Sequence, residues 1–186
     1  MHYDKGIICG IDPGTINLGF SIIEVDLFLS ITNIKAITFA SEILDDSKRD
    51  YYSRIKAQKE NLLHQFYYYR PFAVACEGSF YNSFRPSAFK PLIETIQAIR
   101  ESCAEYNGYE CFFIYEPKLV KKATGAIANP NKYLIKQAII NNQEIKNAYN
   151  GDINRLSEHS IDSIAIGYTH LRFLRGEIWQ NMTSKK

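Results

Sequence analysis

Apolar residues at positions 7, 8, 9 and 11 make the short run expected of a strand buried on both faces, and a carboxylate, Asp12, ends it. Pro13-Gly14-Thr15 turns the chain into a second strand-like segment at 17–25, and a third follows at 34–41. Connections this short favour an antiparallel meander. Helical spacing then takes over. After Asp46-Ser47, a segment to about Tyr69 puts Tyr52, Ile55, Lys59, Leu62, Leu63 and Phe66 on one face, and Arg70-Pro71 ends it. Residues 72–76 form another buried-type strand with Glu77 at its C-terminal end; a loop at 78–87 leads into a helix to about Tyr106. Asn107-Gly108 breaks that helix, 110–115 reads as a fifth strand, and lysine-rich helices flank a loop at 125–131. The last helix starts at Ser157, a good N-cap, with Ile161, Ile164, Ala165, Tyr168 and Leu171 facing the core. A meander followed by two strand–helix crossovers predicts an α/β fold with a mixed five-stranded sheet flanked by helices. If the first and fourth strands are parallel neighbours, Asp12 and Glu77 meet at the edge where such sheets place their chemistry.

Asp12 is the residue that most needs a reason. Asp-Pro-Gly is ordinary turn chemistry, but a carboxylate closing a buried strand costs several kcal/mol unless a cation compensates it. Two further candidates lie on the last helix, where His159 and Asp162 are three apart and project from one side of the first turn. The alternatives are an acid placed for the helix dipole and a histidine satisfied in place. Taken together, carboxylates from three elements plus one imidazole suit a divalent ion such as Mg²⁺ or Mn²⁺.

Composition adds little except in its distribution. Of 186 residues, 46 % are apolar and 23 % charged, as in soluble globular proteins, while 13 Tyr and 11 Phe leave rings for surfaces. No run approaches the roughly 18 apolar residues of a membrane span, so no membrane partner is expected, and the N-terminus lacks the build of a signal peptide. Cys9, Cys76, Cys103 and Cys111 show no CxxC spacing and read as reduced core thiols of a cytoplasmic protein. The net charge of +2 hides a local excess: Lys118, Lys121, Lys122, Lys132, Lys136 and Lys146 stand against one acid, Glu144. Such a stripe beside a carboxylate cluster suits a nuclease, although a solvated helical face explains it too.

In the order of its motifs the chain resembles the RuvC-type Holliday junction resolvases of the ribonuclease H-like superfamily. Asp12-Pro13-Gly14 with Leu18-Gly19-Phe20 matches the opening of those enzymes. Ala75-Cys76-Glu77 with Phe80 matches the later strand, Val120-Lys121, Gly125 and Lys132 the lysine segment, and His159 through Ala165 the last helix. The resemblance implies that residues 1–176 are a single RuvC-like nuclease domain, with 177–186 a tail. It implies a homodimer making paired, symmetric nicks in four-way junctions and related branched DNA, and leaving 5′-phosphate ends. Two Mg²⁺ ions per site, replaceable by Mn²⁺, would be bridged by Asp12 and completed by Glu77 and by His159 with Asp162. Lys121 and Lys132 would face the scissile phosphate, and Phe80 would stack on an unpaired base, with Tyr81, Phe84 and Arg85 beside it. Lys118, Lys122 and Lys136 are candidates for general phosphate contacts. A phage or viral member, acting in the host cytoplasm, fits as well as a bacterial one.

Three rival readings remain. A ribonuclease H acting on RNA–DNA hybrids would want a catalytic acid on the first long helix, where Glu60 sits between Lys59 and Asn61. An actin-like sugar kinase would need a second phosphate loop and about twice the length. A non-catalytic junction-binding module would not need the ligand set. For a dimer seam, Leu92, Ile96, Ile99 and Cys103 offer one face of the helix after Glu77, and Ile93 with Ala98 another.

Overall fold

Alternation along the strands decides which helices lie where. The computed structural model describes residues 5–26, 34–44, 50–79, 86–126 and 133–178, with 35, 38–44, 86–88 and 133 by backbone alone. Strands β1 (Lys5–Asp12), β2 (Asn17–Asp26) and β3 (Ile34–Leu44) form the antiparallel meander. Helix α1 (Tyr51–Tyr69) carries the chain to β4 (Ala73–Glu77), which pairs parallel to β1, and α2 (Pro86–Asn107) leads to β5 (Phe112–Tyr115), parallel to β4. The sheet order is therefore β3-β2-β1-β4-β5, mixed and five-stranded. Helices α3 (Pro117–Thr124), α4 (Tyr133–Asn141), α5 (Gln143–Ala148) and α6 (Glu158–Leu174) complete the described chain.

Because side chains alternate, each strand feeds two cores. Cys9, Ile11, Leu18, Phe20, Ile22, Val74 and Cys76 are buried against α1 and α2, together with Leu62, Phe66, Ile99 and Cys103. Ile8, Ile23, Val25, Ala73, Ala75 and Tyr115 face the other way, into a core shared with α3, α4, α5 and α6. All four cysteines are buried free thiols, and burial pushes Cys9 and Cys76 well above the ordinary thiol range.

Several local expectations change. α1 is N-capped by Asp50, whose carboxylate accepts from the Tyr52 and Ser53 amides at 3.0 and 3.1 Å. Its buried stripe is Gln58, Leu62 and Phe66, while Tyr52 is 72 % exposed. β5 starts at Phe112, because residues 109–111 form one tight helical turn after Gly108, whose φ is 85°. α6 has no solvent face over most of its length: everything from Ile161 to Leu171 except Asp162 is buried. The stripe Leu92–Ile96–Ile99–Cys103 packs onto the sheet within the subunit. Ala98, 8 % exposed, is not on an outer face either, which leaves Ile93, 42 % exposed. Glu144, the lone acid among the lysines, pairs with both Arg175 guanidinium nitrogens and accepts from the Ile34 amide. Burial alone would raise its pKa, but Arg175 outweighs that and holds it below the usual range.

His170 lies in the middle of this second core, 1 % exposed, sharing a 2.7 Å hydrogen bond between Nδ1 and the Tyr115 hydroxyl and packed against Phe113 and Phe173. Burial lowers its pKa to about 4. The unfolded imidazole takes up a proton near pH 6.5 and the folded one does not, so this stabilisation is complete above pH 6.5 and fades as pH falls toward 4. Between pH 7 and pH 5, His170 should cost about 2 kcal/mol of stability. Urea unfolding at the two pH values should show that loss in the wild type and a loss smaller by this amount in His170→Phe; equal losses would contradict the assignment.

Candidate metal-binding active site

The register places the two strand carboxylates. Ile11 is paired with Cys76 across β1 and β4, so Asp12 and Glu77 follow side by side at the C-terminal end of the sheet. Asp12 continues the series Ile8, Gly10, and Glu77 the series Ala73, Ala75; both therefore turn to the face covered by α6.

α6 reaches that face by unusually close packing. Ser157 caps it, its hydroxyl accepting from the Ser160 amide at 3.1 Å, and His159 and Asp162 fall in the first turn. A Cβ on Gly19 would stand 2.1 Å from the His159 carbonyl oxygen, and one on Gly10 would stand 2.1 Å from that of Ser163 and 2.7 Å from the Gly167 nitrogen. Helix backbone thus lies directly on strand backbone, with Ser160, Ser163 and Gly167 buried between them. Gly19 is also the cross-strand partner of Asp12.

The result is a direct contact: His159 Nδ1 lies 2.8 Å from Asp12 Oδ2. An ionised carboxylate only accepts, so Nδ1 carries the hydrogen and donates it. In the neutral ring this leaves the lone pair on Nε2, the atom able to bind a cation, as in the carboxylate–histidine pairs behind metal ligands. The Asp12 side chain is 13 % exposed and that of His159 34 %. Three carboxylates and an imidazole are the right donors for a hard divalent ion. Among the described residues, however, no three such groups already converge as a coordination cluster.

Four of the six lysines, Lys118, Lys121, Lys122 and Lys136, fall on two helices packed against α6. Lys121 is half-buried and Lys118 and Lys122 exposed on α3, which starts at the C-terminal end of β5; Lys136 is half-buried on α4. Gly125, with φ 85°, ends α3. Phe80, Tyr81, Phe84, Arg85 and Lys132 lie outside the described residues. Sequence reading missed the roles of Gly10, Gly19 and Gly167, although a glycine inside an apolar strand is a known mark of close backbone approach. It missed Gln58 as well, whose carboxamide holds the turn after Asp12.

No family model matches the sequence, and no curated protein is significantly similar to it. Solved structures are. Thermus thermophilus RuvC in complex with a Holliday junction substrate superposes with a TM-score of 0.70 at 20 % identity, over 91 % of this chain and 96 % of that one. The fold is that of the RuvC-type resolvases. Fowlpox virus resolvase, solved with Holliday junction DNA, matches with a TM-score of 0.58 at 18 % identity, over 89 % of this chain and 99 % of that one. The yeast mitochondrial Holliday junction resolvase gives 0.60 at 13 % identity, over 91 % and 79 %. In this RuvC-type fold, the sheet edge bearing Asp12 and Glu77 is closed by the helix bearing His159.

Gly19→Ala tests that closure. The added methyl group must push α6 off the sheet, which should cost about 1–3 kcal/mol in urea unfolding. It should also break the Asp12–His159 hydrogen bond, seen as a changed tautomer signature in the His159 ring ¹⁵N shifts. Unaltered stability with unaltered shifts would show that the close approach does not set the site.

Proposed function

We propose that this chain is a structure-selective endodeoxyribonuclease that resolves Holliday junctions and related branched DNA by paired metal-dependent nicks. The observation that carries the reading is the Asp12–His159 contact beside Glu77, on a fold shared over about nine-tenths of the chain with resolvases solved on junction DNA. Asp12, Glu77, His159 and Asp162 would hold two Mg²⁺ ions, with Mn²⁺ as a substitute. When bound, such a pair supplies an activated water and neutralises charge on the scissile phosphate. The chain's own part is to hold the donors on a rigid sheet edge and to offer cations to the flanking phosphates. Lys121 and Lys132 would act beside the scissile phosphate, and Lys118, Lys122 and Lys136 along the backbone. Phe80, Tyr81 and Arg85 would meet the unpaired bases at the crossover. Water attacks phosphorus, the bond to the 3′ oxygen breaks, and the products carry 5′-phosphate and 3′-hydroxyl ends. No protein nucleophile is required. Among the described residues no helix is long and apolar enough to cross a membrane, and a cytoplasmic site of action, the host's for a viral protein, suits the substrate.

A ribonuclease H reading is disfavoured by α1. Glu60 is exposed and pairs with Lys56 at 3.9 Å, and the residues that α1 turns toward the sheet include no acid.

Paired nicking calls for two matched sites, hence a two-fold dimer. The supporting surface is the outer side of α2. Ile93 on α2 and Ile114 on the neighbouring β5 are 42 % and 40 % exposed, beside a groove of about 370 Å³ that Gly78, Ser79, Gln97 and Arg100 also line. A partner copy on this groove would sit next to the strand that ends in Glu77.

With Mg²⁺, the purified protein should nick a synthetic four-way junction at symmetric positions and spare an RNA–DNA hybrid. Asp12→Asn should fold and bind the junction but lose at least about a thousandfold in cleavage rate, since it removes a metal-holding charge at constant shape. Substantial residual nicking by that variant would refute the site. Ile93→Glu should convert a dimer into monomers in sedimentation and abolish coordinated second-strand nicking. A native monomer that still makes paired nicks would rule the dimer out.

A further inference from the structure

α1 contributes no ligand to the proposed site, yet it holds the site from behind. Its sheet-facing stripe, Gln58–Leu62–Phe66, is apolar except at its first position. Gln58 is 2 % exposed, and its Nε2 donates to the Gly14 carbonyl at 2.8 Å. One turn earlier, Arg54 Nε donates to the Thr15 carbonyl at 3.3 Å. Consecutive carbonyls of the turn directly after Asp12 are thereby fastened to one helix. The turn has no slack of its own, since a Cβ on Gly14 would stand 1.9 Å from the Asn17 carbonyl oxygen.

Gln58 is a poor choice for stability alone. Its Oε1 is buried without a hydrogen-bond partner among the described residues, an arrangement that penalises folding, whereas an apolar side chain of the same shape would simply extend the stripe. The unpaired acceptor accompanies a donor that reaches the backbone two residues beyond Asp12. We propose that Gln58 is a positioning residue for strand cleavage: through Gly14 it fixes the path of the 13–16 turn, and so the aim of the Asp12 carboxylate against His159. The inference rests on reading Asp12 as a metal-holding carboxylate. It requires an amide donor at position 58, not merely bulk.

Gln58→Met keeps the length of the side chain and removes both the donor and the unpaired acceptor. The lost Gly14 bond and the removed unpaired acceptor oppose one another, so the variant should melt within a few degrees of the wild type, and it should bind a four-way junction in EDTA with unchanged Kd. Its KM should stay put while kcat falls by about ten- to a hundredfold, the usual penalty for a mis-set catalytic group. Amide exchange at 14–17 should quicken with α6 unaffected. A wild-type kcat, or a kcat loss that merely tracks a lower melting temperature, would overturn the proposal. Gln58→Glu guards against misfolding of the first variant. A glutamate donates only when protonated, so its kcat relative to wild type should recover as pH is lowered, and a pH-independent ratio would also overturn it. If Asp12→Asn keeps nicking, the site reading itself fails; if Asp12→Asn is dead while Gln58→Met is fully active, only the role of Gln58 fails.

Discussion

Everything at the candidate site depends on how closely one helix can approach one pair of strands. Ordinary helix-on-sheet packing interposes side chains between the two backbones. Here Gly10 and Gly19 on the strands and Ser160, Ser163 and Gly167 on α6 remove that layer, and the His159 carbonyl comes to rest where a Gly19 side chain would be. A hydrogen bond of 2.8 Å between residues on different elements follows from that approach. The same plane carries little apolar burial, so the neighbouring core must hold the helix down. It does so with Ile161, Ile164, Ala165 and Leu171, all essentially inaccessible, and with the Tyr115–His170 pair farther along.

The carboxylates are tolerable for a related reason. Asp12 and Glu77 both end strands, so their backbones remain in the ladder while their side chains reach the rim. Removal of water from Asp12 is partial, and the imidazole hydrogen answers one of its oxygens. From the opposite side of the sheet, Gln58 and Arg54 hold the chain where it leaves the strand. The acid is therefore braced by two helices that do not touch the same face.

Much of this was legible in the sequence because its signals are local. Apolar runs ended by acids located β1 and β4, the meander followed from short connections, and Ser157 announced α6. From those elements the adjacency of Asp12 and Glu77 followed on the condition that β1 and β4 are parallel neighbours, which the register supplies. What stayed hidden depends on neighbours. A glutamine in a helix scores as surface, and only the turn across from it explains why Gln58 is inside while Tyr52 is out. α6 lies between the sheet and α3 and α4, so its polar residues Thr169 and His170 are buried and its periodicity is blurred. The stripe Leu92–Ile96–Ile99–Cys103 had the spacing of a seam between subunits, but the same spacing serves a helix lying on its own sheet, and burial decides for the latter. The cysteines read correctly as core thiols, and all four lie buried in the apolar cluster between the sheet, α1 and α2.

The partners in the Asp12–His159 contact lie 147 positions apart in the chain. The meander that bears Asp12 can form from near-neighbour contacts, and β4 and β5 add through crossovers of moderate length. α6 docks last in chain order, and until it does the strand rim carries two carboxylates with no imidazole between the sheet and solvent. During synthesis from the N-terminus, the strands bearing Asp12 and Glu77 leave the ribosome many seconds before the helix that completes their surroundings. The assembled rim is thus a report on whole-domain folding: a chain truncated between β5 and α6 keeps every strand of the sheet in its sequence and lacks the His159 and Asp162 of the finished constellation.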